Sequence, residues 1–125
     1  MLARRKRVAV AAELRTDHLF ISPPHADALG FQNRLLDAFG TRSHAFVNEH
    51  LQALGSSVRS RKAKHVTEQE LNAALAALDG MRPRDEAEAM LAVQMVATNR
   101  AALDMLAPAR QADYCRQCKS AATWQ

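Results

Sequence analysis

The feature that most constrains the fold of this chain is the run of residues 82–100, RPRDEAEAMLAVQMVATNR. Between Ala89 and Ala97 its only polar side chain is that of Gln94. A helix on the surface of a protein shows polar residues on the side that meets water, and this segment has almost none. Its surroundings must therefore cover much of its circumference, either with the rest of the chain or with a second copy of the protein.

The length and composition of the chain favour one small domain. With 125 residues it can bury a modest core, and it is near the size at which oligomerisation often adds buried surface. The longest apolar run is far shorter than the roughly 20 residues that a membrane-spanning helix needs. The apolar residues 8–12 are too few for a signal peptide and are followed by Glu13, so we expect a cytoplasmic protein with no membrane partner.

The positive charges of the chain are concentrated in two places. There are 17 Lys and Arg residues against 13 Asp and Glu residues, and the net charge is +4. Each positioned cation can release a condensed counterion from nucleic acid, so such clusters suit a phosphate backbone. The alternative is that they are solvated segments without a ligand. The candidate nucleic-acid-binding residues are Arg4, Arg5, Lys6 and Arg7 in the first cluster and Arg59, Arg61, Lys62 and Lys64 in the second.

Start and stop signals predict the first two helices. Ser22 is followed by two prolines and is a good cap for a helix that ends at Gly40. Thr41 or Ser43 then caps a second helix, which we expect to end at Gly55, a residue suited to the left-handed exit position. The connection between the two helices is very short, so they should form a hairpin or a sharp corner.

Two capping pairs predict the remaining helices. Residues 55–66 lack apolar periodicity and should form an exposed loop, which ends where Thr67 and Glu70 have the spacing of a capping box. The third helix should follow that box and close at Gly80.

Asp85 and Glu88 repeat the capping spacing, and the fourth helix should run to about Leu106 because Pro108 would stop it. No stretch alternates with period two, so no sheet is expected. The predicted fold is all-α, a small bundle of four to five helices that could form a dimer. We expect a basic N-terminal segment at 1–21, a helical domain at 22–107, and a short C-terminal helix or tail at 108–125.

The apolar fourth helix can be placed in two ways. It is either the central element of the bundle, or it packs inward on one face and against a second chain on another. Methionine suits both arrangements because its unbranched side chain adapts to irregular surfaces. We expect a homo-oligomer whose partner or dimer interface includes Met90, Val93, Gln94, Met95 and Thr98.

The same region resembles a known group of sequences. The run DGMRPRDEAEAMLAVQMVATNRAA is similar to the most recognisable part of a family of small uncharacterised proteins, mostly from alphaproteobacteria and their mobile elements. Members pair a glycine-ended helix with a PRDxxEAMLAxQMxA helix, and LLDAFGT at residues 35–41 resembles their upstream helix end. The similarity covers residues 35–106. Because the family has no assigned activity, the resemblance implies only an all-helical fold and a bacterial or phage setting.

The sharpest chemical motif is CRQC, which contains Cys115 and Cys118. Two thiolates at this spacing can bind one metal ion or form a redox-active disulfide. A structural zinc site needs four ligands, and the nearest histidine pair, His44 and His50, is spaced so that the two fall on different faces of a helix. We therefore expect two reduced cysteines and no cofactor.

No catalytic group can be recognised in the sequence. There is no phosphate-cradling glycine loop and no strand-turn nucleophile. Asp85, Glu86 and Glu88 form a carboxylate cluster, but they already complement the positive end of a helix dipole.

These observations predict a protein that binds and does not catalyse. The leading hypothesis is an accessory factor of a phage or mobile element that contacts nucleic acid or a nucleoprotein complex through its basic segments. Low aromatic content, at 5% of residues, disfavours base stacking and leaves duplex backbone binding as the mode. One alternative is a protein-interaction module, such as an inhibitor or assembly adaptor, that acts through the Met-rich fourth helix. A lesser alternative is a metal- or redox-dependent regulator that uses the two cysteines.

Overall fold

The computed structural model describes residues 8–15 and 18–122. Within these residues the chain forms a two-stranded antiparallel sheet followed by four helices. The predicted helical bundle is confirmed at this level, with four helices, and the predicted absence of a sheet is wrong. In chain order the elements are β1 (Ala11–Arg15), β2 (His18–Ser22), α1 (Ala28–Phe39), α2 (His44–Val58), α3 (Glu68–Met81) and α4 (Glu86–Ala122).

Side chains of α3 hold the hairpin in place. Just before β1, the Val10 backbone N–H donates to the Asn72 side-chain oxygen at 2.8 Å, and the Asn72 amide donates back to the Val10 carbonyl at 3.0 Å. The Ala12 N–H donates to the Glu68 carboxylate at 3.1 Å. These partners lie 62 and 56 positions apart in the sequence. A search for local alternation cannot detect a hairpin that depends on such distant groups.

The core begins inside the segment 1–21 and not at residue 22. Val8 and Val10 are buried and belong to the same apolar cluster as the helices, whereas Ala9 between them is exposed. This alternation is only three residues long, too short to be recognised as a strand pattern. The residues that follow the basic N-terminal cluster are therefore part of the folded domain.

Helix α1 begins later than the sequence suggests. Ser22 ends β2, and the N-cap is Asp27, whose side chain accepts from the Gly30 N–H at 2.9 Å. The prolines after Ser22 therefore lie in the connection, where they need no backbone N–H to continue a sheet or helix. The predicted end of the helix is confirmed, since Gly40 adopts the left-handed conformation with φ 61°.

Helix α2 begins at the expected cap and continues beyond its expected end. Ser43 accepts from the Phe46 N–H at 3.2 Å. Gly55 does not leave the helix: it is buried, and α2 continues to Val58, whose side chain is also buried. Burial of this extra apolar residue explains why the helix passes through a glycine that costs about 1 kcal/mol relative to alanine.

The two capping pairs of α3 and α4 are confirmed. The Glu70 N–H donates to the Thr67 hydroxyl oxygen at 3.2 Å, and the Glu88 N–H donates to the Asp85 carboxylate at 2.9 Å. Each pair satisfies a backbone donor that the first turn of a helix leaves without an internal acceptor. The end of α3 differs slightly from the prediction, because it closes at Met81 and not at Gly80.

Helix α4 does not stop before Pro108. It has 37 residues and contains the proline. Proline has no N–H, so it leaves the Asp104 carbonyl without its usual donor and costs about 3 kcal/mol in a helix interior. The residues around it are mostly alanine and other strong helix formers, and this local preference continues the helix on both sides of the proline.

Helix α3 provides the centre of the core. Its residues Leu71, Leu75 and Leu78 are fully buried, whereas α4 contributes the smaller Ala89, Ala92 and Val93. The interpretation of α4 as the central element is therefore wrong: it packs against α2 and α3 with one side only.

The turn between α1 and α2 is fitted against the turn between α3 and α4. A Cβ atom on Gly40 would lie 2.0 Å from the Pro83 carbonyl oxygen, so only glycine allows this approach. Beside it, the Thr41 hydroxyl donates to the Glu86 carboxylate at 2.6 Å and accepts from the Ser43 N–H at 3.0 Å. Thr41 is itself buried. This junction of two turns joins the first helix pair to the second.

The junction predicts opposite effects for the same substitution at two glycines. Gly40→Ala places a methyl group against backbone and strains a positive φ, so it should lower the free energy of unfolding by at least about 2 kcal/mol. Gly80→Ala is the matched control, since a Cβ there meets nothing within 4 Å. Because Gly80 lies inside a helix, alanine should stabilise by up to about 1 kcal/mol. Urea denaturation followed by circular dichroism measures the free energy of unfolding of both variants. Equal changes in the two variants would contradict the close approach at Gly40.

Candidate functional site

A row of exposed apolar side chains runs along α4 on the side away from the core. Leu91, Met95 and Met105 are 60%, 61% and 71% exposed. Positions on this side recur at alternating intervals of four and three residues, the spacing of the a and d positions in a coiled coil. We call this set the outer stripe, and it consists of Leu91, Met95, Thr98, Ala102, Met105 and Ala109.

The outer stripe agrees only in part with the predicted interface. Four of the predicted residues are exposed, as an interface with another molecule requires: Met90, Gln94, Met95 and Thr98. Of these, Met95 and Thr98 belong to the outer stripe. Val93 is 7% exposed and packs into the core of its own chain, so it cannot belong to that interface. The remaining members of the stripe were missed. The alternating intervals of four and three residues continue in the sequence past Leu106, the predicted end of the helix. Because Pro108 was expected to stop the helix, the positions beyond it were not included in the predicted interface.

The second half of α4 extends beyond the rest of the fold. Every residue of 101–121 is exposed except the half-buried Asp104. Arg100 ties the middle of α4 to α3, because its guanidinium lies 3.7 Å from the Glu70 carboxylate. Its Nε also donates at 3.1 Å to Asp104 one turn further along α4. At about 1.5 Å per residue the whole helix is about 55 Å long, so its second half projects into solvent and carries the outer stripe as far as Ala109.

The charge of α4 changes sign along its length. Its first turn contains Glu86 and Glu88, whereas Arg110, Arg116 and Lys119 lie in its second half. This order places negative charge at the positive end of the helix dipole and positive charge at the negative end. Any helix that packs along α4 will therefore favour one direction over the other.

The basic loop between α2 and α3 is shorter than predicted, and one of its cations is used to shape it. Residues 55–58 belong to α2. The Arg59 guanidinium donates to the carbonyl oxygens of Ala63 and Lys64 at 3.3 and 3.0 Å. Arg61 and Lys62 lie on the exposed turn that these bonds hold. The cluster of Arg4, Arg5, Lys6 and Arg7 lies outside the described residues.

The carboxylates at the start of α4 have structural partners. Glu86 accepts from the Thr41 hydroxyl, and this hydrogen bond, helped by one from its own backbone N–H, lowers its pKa. Hydrogen bonds from the side chain and backbone of Arg84, at 2.7 and 2.8 Å, lower the pKa of Glu88, and the same pair raises the pKa of Arg84. A general acid requires a raised carboxyl pKa, so these groups are poorly suited to proton donation.

The sulfur and imidazole groups do not converge in the described part of the chain. Cys115 and Cys118 are free thiols on the exposed second half of α4. His50 stacks on Phe46 with ring centroids 3.9 Å apart and shares a hydrogen bond with the Phe46 carbonyl. Among the described residues no three His, Cys, Asp or Glu side chains are placed to hold a metal ion together.

Within the described residues, none of the helices combines the length and the apolar character needed to cross a bilayer. Comparison with protein-family models, with curated proteins and with solved structures found no match to this chain. The resemblance to the alphaproteobacterial family therefore stays a prediction, and the outer stripe and the basic loop have to be interpreted from their own geometry.

The lowered pKa of Glu86 predicts a pH-dependent contribution to stability. A carboxylate with a lowered pKa in the folded state stabilises the fold above its pKa in the unfolded chain, about 4.3. That contribution is lost as the pH falls through the folded-state pKa. Glu86→Gln should therefore lower the free energy of unfolding at pH 7 and narrow its difference from wild type as the pH falls below about 4.3.

The matched control is Glu49→Gln, the same substitution at an exposed position of α2. It should change the unfolding free energy much less at pH 7. Urea denaturation at a series of pH values measures both variants. A Glu86→Gln defect that stays constant down to pH 3 would contradict a role for the ionised carboxylate.

Proposed function

We propose that this protein is a non-enzymatic interaction module that acts through the outer stripe of α4. The observation that carries the proposal is a row of exposed, mostly apolar side chains at coiled-coil spacing that begins at Leu91 and continues to Ala109 on the projecting part of α4. Isolated exposed apolar residues are common, but a continuous row on one side of a projecting helix usually marks a contact surface. We therefore rank the protein-interaction hypothesis above nucleic-acid binding, which was the leading hypothesis from the sequence.

The occupant we assign to the outer stripe is the outer stripe of a second copy, in antiparallel orientation. In that orientation the net-acidic start of one α4 lies near the basic half of the other, with Arg110 and Arg116. Glu86 and Glu88 keep their bonds to Thr41 and Arg84, so the attraction acts at a distance. The two helix dipoles are then antiparallel, so the positive end of each lies beside the negative end of the other. A parallel pair would bring like charges together along its whole length.

Side-chain size also fits a helix pair. Ala102 and Ala109 alternate along the stripe with the larger Met95 and Met105. Small residues allow two helices to approach, and unbranched methionines fill the space that remains.

The energetics indicate a reversible dimer. The large apolar side chains of the outer stripe are Leu91, Met95 and Met105, and their burial in both copies supplies up to about 1.5–3 kcal/mol each. Association costs about 4–15 kcal/mol of lost motional freedom, a sum of the same order. The dimer should therefore depend on concentration.

The first test is the mass of the protein in solution. Wild type should shift from monomer to dimer as its concentration rises through the micromolar range. The double variant Met95→Glu, Met105→Glu should prevent dimerisation, because it places negative charge between the two outer stripes. Light scattering measures the mass. Gln111→Glu, on the opposite side of the projecting half, is the matched control and should dimerise like wild type. A wild-type monomer at 100 µM, or an equal loss in the control, would reject the proposal.

Salt distinguishes the two orientations of the pair. Because opposite charges face each other in the antiparallel dimer, added salt should weaken it. A dimer that strengthens with salt would have like charges facing each other and would contradict the antiparallel arrangement.

The basic loop supports a second candidate function, contact with the backbone of duplex nucleic acid. Arg61 and Lys62 are exposed on a turn that Arg59 holds in shape, so they can meet phosphates without a large loss of loop entropy. The N-terminal cluster would add cations if it lies on the same side. This second candidate function includes two further proposals, namely that the protein belongs to a phage or mobile element and that it acts in the cytoplasm.

The second candidate predicts salt-sensitive binding. Replacing Arg61 and Lys62 with alanine should weaken duplex binding and flatten the slope of log K against log salt, by up to roughly 0.9 for each phosphate that the variant no longer neutralises. Arg110→Ala with Arg116→Ala removes the same charge from α4 and is the matched control. A gel-shift series with non-specific duplex DNA measures the slopes. No shift at low salt, or equal slopes in both variants, would exclude this function for the loop.

A further inference from the structure

A groove of about 750 Å³ runs along the side of α2 that faces β2 and α1. Residues of α2 that line it recur along one side of the helix from His44 to Arg59. At about 1.5 Å per residue this side is about 22 Å long. The volume lies in the range of about 300–1,000 Å³ that small-molecule sites occupy. None of the residues in the outer stripe lines this groove.

The floor of the groove is apolar and slightly open. Phe31, Leu35, Val47, Leu51 and Val66 form much of it, and each keeps 3–7% of its surface exposed. Core residues such as those at the centre of α3 keep none. The floor therefore consists of core side chains whose edges remain accessible to a bound molecule.

The walls of the groove combine apolar and neutral polar groups. Phe20 and Ile21 of β2 stand on one side, and the exposed Asn48, Gln52 and Ser56 follow each other along α2 on the other. The β2 side adds apolar contact area, while the amide and hydroxyl groups can hydrogen-bond to a polar ligand atom or to water. A site of this kind accepts a molecule with a long apolar part.

The charge of the groove has one sign. Arg59 and Lys64 line the end where α2 meets the loop, together with His65, and no Asp or Glu occurs among the described residues that line the groove. The C-terminus of α2 contributes a negative partial charge of about half a unit, which two full positive charges exceed. The groove therefore has an apolar length and a cationic end.

From these features we infer that the groove binds a single-chain amphiphile, a molecule with one hydrocarbon tail along α2 and one anionic head at Arg59 and Lys64. Carboxylate and phosphate share the chemistry that the cationic end selects, since both accept charge-assisted hydrogen bonds from guanidinium and ammonium groups. The two heads are distinguished by experiment. This inference is independent of the outer stripe and of duplex binding.

The test uses the full chain and three probes that share a ten-carbon tail. Undecanoate, whose alkyl tail has ten carbons besides the carboxylate carbon, and decyl phosphate should each bind saturably at one site per chain below their micelle concentrations, as measured by calorimetry. The tighter of the two identifies the preferred head. Decyl glucoside has the same tail without charge and should bind more weakly, by up to about fivefold for each exposed charge pair that it cannot form. Lengthening undecanoate to dodecanoate adds one methylene and should raise affinity by up to about fourfold.

Two matched pairs of variants locate the site. Lys64→Glu should weaken binding of the anionic probes by at least about fivefold, whereas Lys62→Glu changes the same charge in the same loop outside the groove. Ser56→Glu places a carboxylate in the groove at an exposed helix position, and Ser57→Glu is its neighbour outside the lining. The thermal unfolding of all four variants is checked, and Met95→Glu should bind the probes like wild type.

Three results would overturn the inference. The first is the absence of saturable binding by both anionic probes. The second is binding of decyl glucoside as tight as that of the anionic probes, which would leave the cationic end without a role. The third is an equal loss in each variant and its control, which would place the bound molecule elsewhere on the chain.

Discussion

The close approach of two turns determines how the helices of this protein are arranged. Gly40 fits against the Pro83 carbonyl, and the buried Thr41 hydroxyl bonds to Glu86 beside it. These contacts fix the start of α4 relative to the turn between α1 and α2. A helix of 37 residues amplifies any change in its starting direction, because it is about 55 Å long. The position of the outer stripe relative to the rest of the domain therefore depends on this junction, together with the packing of Ala89, Ala92 and Val93 against α2 and α3.

The parts of the fold that the sequence predicted are those determined by neighbouring residues. The capping pairs of α3 and α4 and the left-handed exit at Gly40 each depend on groups within a few positions of one another. The hairpin was missed because Asn72 and Glu68, which hold it, come from a helix more than fifty positions away. Gly55 and Pro108 were misjudged for a related reason. Each carries a local penalty against helix, and burial of Val58 in one case and strong helix formers in the other outweigh it.

The candidate surfaces were predictable to the same limited degree. The exposed part of the predicted interface follows from the apolar content of α4, but Val93 was assigned to the wrong side, because composition does not say which face meets the core. The cations of the loop were visible in the sequence, whereas the bonds from Arg59 that shape the loop were not. The groove could not be predicted at all. Its lining comes from four separate stretches of the chain, and only packing brings them together.

The outer stripe and the groove are proposed to bind different molecules, and α2 connects the two surfaces. One side of α2 packs against α4, and another side forms the length of the groove. No residue of the outer stripe lines the groove, so the two proposed contacts use separate residues. A ligand that fills the groove contacts Val47 and Leu51, which are also core residues. Packed cores resist compression, so a movement of α2 on binding would press on the side chains of α4 that pack against it. The projecting half of α4 would then show any resulting shift at its largest amplitude.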